Sequence, residues 1–185
     1  MPSLLTEVLA AHVPEDPSEA ASLEKMKLFA TTLQHPFSRH QPGAHFTASA
    51  LVIDERLGRI VLVHHAKLRR WLQPGGHAEA GDDGLIHLTA LREAREETGC
   101  EVTLHPVSPS PLDVDVHLIP AHGTEQAHHH LDVRFLVAAR DPEALTFDDK
   151  ESLGARWFTF DEALAIADEE PLQRLIRKGQ RLARL

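Results

Sequence analysis

The chain is poor in the residues that form disulfides and membrane spans. Cys100 is the only cysteine among 185 residues, so an internal disulfide is excluded. No apolar run approaches the roughly 20 residues that a membrane-spanning helix needs. The segment after Met1 also lacks the basic region followed by an apolar one that is typical of a signal peptide. We therefore expect a cytoplasmic protein with no membrane partner.

Positive charge is also scarce in this sequence. It has 19 lysines and arginines against 28 aspartates and glutamates. A surface that follows a nucleic-acid backbone needs an excess of cations, so we expect no nucleic-acid partner. A chain of this length can form one domain that buries about 70% of its unfolded surface. We expect a single domain with a substantial core.

The most informative segment joins a pair of glycines at 75–76 to a run at 92–99 that reads Arg-Glu-Ala-Arg-Glu-Glu-Thr-Gly. In a helix, residues three and four apart share a face, so Glu93, Glu96 and Glu97 would project from one stripe. Like charges at these spacings repel each other unless a cation lies among them. A glutamate-rich helix alone is more typical of a solvated surface. Its combination with the paired glycines favours a site for a hard divalent ion such as Mg²⁺ or Mn²⁺.

The helix that carries these glutamates is predicted over residues 84–98. Asp82 and Asp83 are of the residue type that caps a helix N-terminus, and Gly99 is typical of the residue that ends a helix. Arg92 is the cation best placed to hold a glutamate in a fixed rotamer by a bidentate contact. Apolar residues recur every three positions and predict a face packed on a sheet: Leu85, Leu88, Leu91 and Ala94.

These residues resemble the signature of the Nudix hydrolase family, which reads glycine, glutamate, Arg-Glu, an aliphatic residue, any residue, Glu-Glu, any residue, glycine and an aliphatic residue. The matching residues are Gly76, Arg92, Glu93, Glu96, Glu97, Gly99 and Cys100. Two departures concern Asp82, which stands where the first glutamate is expected and is separated from Arg92 by nine residues rather than seven. We expect the two extra residues to lengthen a loop before the helix. The likeness extends over about residues 43–165.

The resemblance implies an α/β (α+β) fold, in which a mixed β-sheet is sandwiched between helices. It also implies hydrolysis of a phosphoanhydride bond in a nucleoside diphosphate linked to another group, with Mg²⁺ or Mn²⁺ as cofactor. The partner would be a small-molecule substrate. The bound ion would offset the repulsion between an acidic protein and a pyrophosphate.

The resemblance also assigns roles to particular residues. The implied metal ligands are the Gly75 carbonyl, Glu93, Glu96 and Glu97. Arg92 would orient Glu93 or Glu96, and Glu151 is an outlying candidate for the general base. The catalytic set is therefore Glu96, Glu97, Arg92 and Glu151.

The sequence predicts an N-terminal helical extension over residues 1–42, packed on the core, and a Nudix domain over 43–185 that includes a C-terminal helix. Asp16 would cap the extension's main helix, with Pro17 at its first position. An apolar stripe would pack against the main domain or a second subunit, which would suit a homodimer: Leu23, Met26, Phe29, Ala30 and Leu33. Predicted strands on both sides of the glutamate helix indicate a mixed sheet: 46–53, 59–63, 101–107, 114–119, 131–138 and 156–158. Asp161 would cap a short helix after the last strand.

The sequence contains 14 histidines, three of them consecutive at 128–130. Because side chains alternate along a strand, at most His128 and His130 could share an ion, and a four-coordinate zinc site needs more ligands. The same alternation places three side chains of each of two strands on one face: Asp113, Asp115 and His117 on one, and His130, Asp132 and Arg134 on the other. Pairing of these strands would build a polar patch near the phosphates.

Two residues near this patch and the glycine loop have more than one interpretation. Arg134 is a candidate for substrate contact, with a structural salt bridge as the alternative. His77 beside the glycine loop is a second candidate for substrate contact.

Two other functions compete with hydrolysis. One is a non-catalytic Nudix-fold module that binds a nucleotide, although such modules usually lack one of the signature glutamates. The other is the isomerase branch of the fold, which relies on a catalytic cysteine, whereas Cys100 occupies a position for a small apolar residue. The substrate class stays open among sugar nucleotides, dinucleoside polyphosphates, dinucleotide cofactors and oxidised nucleoside triphosphates.

Overall fold

The computed structural model describes residues 4–56, 58–123, 125–150 and 152–183. Within these ranges, eight strands form one sheet. They are β1 (Ala44–Asp54), β2 (Arg59–His65), β3 (Trp71–Leu72), β4 (Gly75–His77), β5 (Val102–Leu104), β6 (Asp113–Ile119), β7 (His128–Ala139) and β8 (Ser152–Thr159). The described residues also form five α-helices: α1 (Leu4–Ala11), α2 (Pro17–Thr32), α3 (Ile86–Thr98), α4 (Phe160–Ile166) and α5 (Glu170–Leu182). The predicted α+β fold with a mixed sheet is therefore confirmed.

The centre of the sheet is the parallel pair formed by β1 and β7, while every other pairing is antiparallel. On its other side, β1 pairs with β4 near one end and with β2 near the other end. Strand β7 likewise pairs with β6 along its first half and with β5 along its second half. The short strand β4, which carries the glycine pair, therefore lies directly beside the central strand.

Side chains of β1 alternate between two covered faces of the sheet. The α3 face packs in one hydrophobic core with α1, α2 and α3, and β1 contributes Ala44, Phe46, Ala48, Ala50 and Val52 to it. On the opposite α5 face, Leu51 and Ile53 pack with α4 and α5 in a second core. The remaining β1 side chains of the α5 face are polar and buried: His45, Thr47 and Ser49.

Most predicted elements are present, with local differences. The hairpin of β1 and β2 forms as expected. Strand β5 ends at Leu104 rather than at residue 107, because Pro106 cannot donate a hydrogen bond to a neighbouring strand. Helix α4, the short helix that follows β8, is capped by Thr159 in a capping box with Glu162, and not by Asp161 as predicted. A hydroxyl one residue before the helix supplies the acceptor, so Asp161 is left inside the first turn.

The N-terminal helices pack on the rest of the described chain. Asp16 caps α2 through the backbone N–H of Glu19, as predicted. Leu23 and Met26 of the predicted stripe are buried in the core on the α3 face, together with Leu5 and Leu9 of α1. The predicted homodimer stays a prediction. Within the described ranges, no helix combines the length and the apolar character needed to cross a membrane.

Candidate functional site

The glycine pair lies on β4, which packs so closely on its neighbours that larger side chains do not fit. Gly75 lies opposite Ser49 of β1, and a Cβ atom on Gly75 would come within 2.3 Å of the Ser49 Cβ atom. A Cβ atom on Gly76 would come within 2.5 Å of a carboxylate oxygen of Glu93. Both glycines are therefore required by close approach. They bring the β4 backbone against the first of the three α3 glutamates.

Arg92 connects these glutamates to the loop that follows β4. Its Nε and Nη2 atoms donate to the two carboxylate oxygens of Asp82 at 3.2 and 3.1 Å, and Nη2 also donates to the His77 carbonyl at 2.6 Å. Its Nη1 atom donates to Glu93 at 2.9 Å and to Glu96 at 3.0 Å. Burial disfavours the Arg92 charge, but the Asp82 hydrogen bond and the Glu93 charge outweigh burial and raise the pKa of Arg92 above its usual range. Arg92 thus contacts both glutamates that the sequence made its candidate partners.

Asp82 has a structural role that differs from the predicted helix cap. It ends a 3-10 helix over Ala80–Asp82, and α3 begins only at Ile86 after Leu85, which makes no side-chain cap. The Asp82 carboxylate is buried and accepts from Arg92, from the Thr89 hydroxyl and from the Glu79 backbone N–H. Burial raises the pKa of Asp82, but these hydrogen bonds and the Arg92 charge outweigh it and lower that pKa. The carboxylate is occupied by these donors, so it cannot cap α3.

Asp83 was the second predicted cap residue, and it too lies outside the helix. It adopts a left-handed backbone conformation, with φ of 49°, in the turn between the 3-10 helix and α3. The longer spacing between Asp82 and Arg92 is thus taken up before α3 begins. Gly99 ends the helix as predicted, with φ of 67°.

The three glutamates differ in exposure. Glu97 is buried, with 8% of its surface exposed, while the Glu93 and Glu96 side chains are 12% and 57% exposed. Each offers carboxylate oxygens from one helix, and Gly75, the predicted backbone ligand, precedes Gly76 on the adjacent strand. Oxygen donors of this kind suit Mg²⁺ or Mn²⁺ better than a softer ion. The residues present therefore fit the ion that the resemblance implies.

One member of the predicted catalytic set cannot be placed. Glu151, the candidate general base, lies outside the residues that the structure describes. Its role stays a prediction.

The predicted polar patch forms on the α5 face of the sheet, while its predicted position near the phosphates stays a prediction. Strands β6 and β7 pair so that Asp113 lies opposite Arg134, Asp115 opposite Asp132, and His117 opposite His130. This register confirms that the six side chains share one face. The patch is a product of the strand alternation that the sequence displays.

Arg134 is held inside this patch. It is 4% exposed, and its guanidinium donates to Asp132 at 2.9 Å, to Asp115 at 3.2 Å and to Asp113 at 3.3 Å. Burial disfavours its charge, but the three carboxylates outweigh that effect and raise the pKa of Arg134. These contacts correspond to the structural salt bridge that was the alternative interpretation of this residue. Its predicted contact with substrate stays a prediction.

A cluster of histidines lies next to this network and was missed by sequence reasoning. His45 of β1 lies beside His130 in the parallel pairing with β7, and His128 lies two residues before His130 on the same face. The His77 ring of β4 is 5.0 Å from both the His45 and His130 rings, measured between centroids. Only the high histidine count and the alternation at 128–130 hinted at this site. The contribution of His45 depends on a strand pairing that links distant parts of the chain.

The surroundings of His45 and His130 lower the pKa of both rings. Burial and the neighbouring histidines lower the pKa of His45 to about 4. The same two causes lower the pKa of His130 to about 2. The His77 ring, the second predicted substrate contact, turns into this cluster, while its carbonyl binds Arg92. Contact between His77 and a substrate stays a prediction.

Comparison with known proteins places this geometry in a family. The model of the NUDIX domain matches residues 43–178, which is more than two thirds of the chain. The chain therefore belongs to the NUDIX domain family. The sequence-based identification of a Nudix hydrolase is confirmed at the level of that family. A comparison with curated proteins gives no match.

Solved structures share the fold at low sequence identity. An Ap4A hydrolase from C. elegans is 20% identical, with a TM-score of 0.55, and the match covers 74% of this chain and 96% of that one. A NUDIX-family hydrolase from Clostridium perfringens is 21% identical, with a TM-score of 0.55 and coverage of 75% and 97%. The dihydroneopterin triphosphate pyrophosphohydrolase of E. coli is 16% identical, with a TM-score of 0.54 and coverage of 72% and 92%. At these identities the likeness concerns the fold alone.

Proposed function

We propose that this protein is a divalent-metal-dependent hydrolase that cleaves a phosphoanhydride bond of a nucleoside diphosphate linked to another group. The observation that carries the proposal is the arrangement around Arg92. One guanidinium connects the β4 loop to Glu93 and Glu96 of α3, and the adjacent Gly76 leaves room for the Glu93 carboxylate. A solvated charged helix would need neither the paired glycines nor this cross-connection.

The metal-holding residues in this proposal are Glu93, Glu96, Glu97 and the Gly75 carbonyl, with Mg²⁺ or Mn²⁺ as the ion. When bound, such an ion neutralises phosphate charge and lowers the pKa of a coordinated water. Arg92 donates one hydrogen bond to each of the Glu93 and Glu96 carboxylates, which limits the orientations that they can adopt. Glu97 is the most buried of the three, so it is the least free to turn toward solvent.

The remaining residues have distinct places in the proposal. Glu151 would accept the proton of the attacking water as general base. Neither Arg134 nor the His77 ring is used, because the first is buried among three carboxylates and the second faces other histidines. Two of the solved neighbours are named for Ap4A and for dihydroneopterin triphosphate, so both compounds belong in the first substrate panel.

The test is product formation by the purified protein, with and without Mg²⁺. The panel contains those two compounds together with sugar nucleotides, other dinucleoside polyphosphates, dinucleotide cofactors and oxidised nucleoside triphosphates. We expect Mg²⁺-dependent hydrolysis of at least one of these substrates. A nucleotide-binding module would bind a panel compound and release no product, and that outcome would contradict the proposal.

The Glu97→Gln variant tests whether the hydrolysis depends on the α3 glutamates. Loss of the carboxylate charge should reduce kcat by about 100-fold or more, because a buried metal ligand becomes neutral. Glu24→Gln is the matched control, since Glu24 is an exposed glutamate on α2 whose carboxylate lies 3.0 Å from Lys27 Nζ on the same helix. It should keep full activity. Full activity of Glu97→Gln would show that the hydrolysis occurs without this glutamate.

A further inference from the structure

The histidine cluster has the spacing of a metal site. Within the described residues, one group of three potential ligand side chains has ligand atoms that all lie within 4.8 Å of one another: His45, His128 and His130. The Nε2 atoms of His128 and His130 are 3.3 Å apart. Two imidazole nitrogens bound to one tetrahedral ion at about 2.0–2.1 Å would themselves be separated by about 3.3 Å.

The ring of His45 is buried without a hydrogen-bond partner among the described residues. Its residue is 1% exposed, and neither of its ring nitrogens has a partner in the part of the chain that the structure describes. Buried polar groups in proteins are nearly always hydrogen-bonded, and each exception calls for an explanation such as a bound ion. The ring lies 4.9 Å from the His128 and His130 rings, between centroids. An ion shared with those two histidines would give His45 the partner that it lacks.

The surroundings of His128 favour the tautomer that can bind a metal through Nε2. The Nδ1 atom of His128 lies 2.9 Å from the Gln126 carbonyl, which is an acceptor only. A proton on Nδ1 would donate to that carbonyl and leave the lone pair of Nε2 directed at His130, as in the second shell of known metal sites.

We propose that His45, His128 and His130 bind a divalent ion of the zinc class, at a site distinct from the α3 glutamates. Nitrogen donors favour Zn²⁺, Co²⁺, Ni²⁺ or Cu²⁺ over the hard ions Mg²⁺ and Mn²⁺. The two sites lie on opposite faces of the sheet, because Gly76 faces Glu93 while the next residue, His77, turns toward the histidines.

The position of the site indicates what the ion does. His45 comes from β1, whereas His128 and His130 come from β7, so the ion would join the two central parallel strands where that pairing begins. Two more rings border it: the His77 ring is 5.0 Å and the His117 ring 5.5 Å from the His130 ring. His117 is itself oriented by the Asp115 carboxylate at 3.1 Å. The ion stabilises the fold, and this inference does not depend on the proposed hydrolysis.

The test uses the full chain prepared without a polyhistidine tag and stripped of metal by a chelator. Zn²⁺ uptake is measured by calorimetry in excess Mg²⁺, so that the glutamate site does not compete, and bound Co²⁺ is examined by its visible absorption. We expect one tight equivalent of Zn²⁺, a rise in Tm on binding, and the intense absorption of a four-coordinate Co²⁺ centre. No tight equivalent of Zn²⁺ and no such absorption would overturn the proposal.

Matched variants assign the ion to these ligands. His128→Ala should weaken Zn²⁺ binding by about 100-fold or more, since it removes a direct ligand. His129→Ala is the control, because His129 points to the opposite face of β7, and it should bind Zn²⁺ like the parent chain. Equal weakening by both variants, or by neither, would overturn the assignment. If His128→Ala does not fold, the milder His128→Gln replaces it, and the Co²⁺ spectrum of the parent chain still decides the donor type.

Discussion

The two faces of the central sheet carry two groups of potential metal ligands that differ in origin and chemistry. On the α3 face, three carboxylates come from one helix, and Arg92 holds two of them. On the α5 face, three imidazoles come from two strands that are distant in sequence. Hard oxygen donors and nitrogen donors favour different ions. The two proposed sites are therefore separated by the β-sheet itself. They need not compete for the same metal.

The ion-pair network around Arg134, beside the histidines, should make the largest contribution to stability on the α5 face. Arg134→Ala would leave the buried carboxylates of Asp115 and Asp132 without their main cation, which should lower the free energy of unfolding by about 3–5 kcal/mol. Urea unfolding measures this change. Arg177→Ala is the control, because Arg177 lies exposed on α5 and should change stability by less than about 0.5 kcal/mol. An unchanged stability with a raised KM would instead make Arg134 a substrate contact.

On the α3 face, the replacement of Arg92 should have the largest effect on kcat. Arg92→Lys keeps the charge, but one ammonium with three N–H donors cannot make the five hydrogen bonds that the guanidinium makes to Asp82, Glu93, Glu96 and the His77 carbonyl. We expect kcat to fall by about 10–100-fold while Zn²⁺ binding at the histidines is unchanged. Steady-state kinetics and calorimetry measure the two effects. The exposed Arg95→Lys should leave kcat unaltered, and an equal loss in both variants would remove the special role of Arg92.

Gly76→Ala tests the close approach of β4 to the glutamates. The new Cβ atom would require the Glu93 carboxylate to move, so the Mg²⁺ concentration for half-maximal activity should rise by about 10-fold. Gly81→Ala is the matched control in the same loop, because a Cβ atom there would meet open space. If Gly76→Ala needs no more Mg²⁺ than this control, then the position of Glu93 does not set the affinity for the ion.

The smallest effect concerns acid stability on the α5 side. Glu19 is buried, and although burial raises its pKa, hydrogen bonds with His12 and Lys178 outweigh it and lower the pKa to about 2. Because the unfolded carboxyl binds its proton at a higher pH, this contribution is complete above about pH 4.5 and is lost as the pH falls toward 2. Between pH 7 and about pH 3, Glu19→Gln should remove about 2 kcal/mol of this pH dependence. Denaturant unfolding at several pH values measures how the free energy of unfolding changes with pH. Glu24→Gln should show the same change as the parent chain. The same change in Glu19→Gln would contradict the role given to Glu19.

The same contrast explains what the sequence could predict. The α3 glutamates, Arg92 and the Gly99 stop lie within one helix, so their spacing alone defines a face and an end. The shared face of Asp113 and Asp115, and that of Asp132 and Arg134, also followed from alternation along each strand, whereas their register did not. The predicted start of α3 was wrong, because the Asp82 carboxylate accepts from Arg92, from Thr89 and from the Glu79 backbone N–H, which leaves it unable to cap α3. The meeting of His45 with His130 depends on a parallel pairing that spacing along the chain cannot specify.

The most direct measurement is anomalous diffraction from one crystal soaked in Mn²⁺ and Zn²⁺, with data collected at both absorption edges. We expect Mn²⁺ beside the α3 glutamates and Zn²⁺ among His45, His128 and His130. Manganese density remote from Glu93, Glu96 and Glu97 would contradict the central claim that these carboxylates form the hydrolytic metal site.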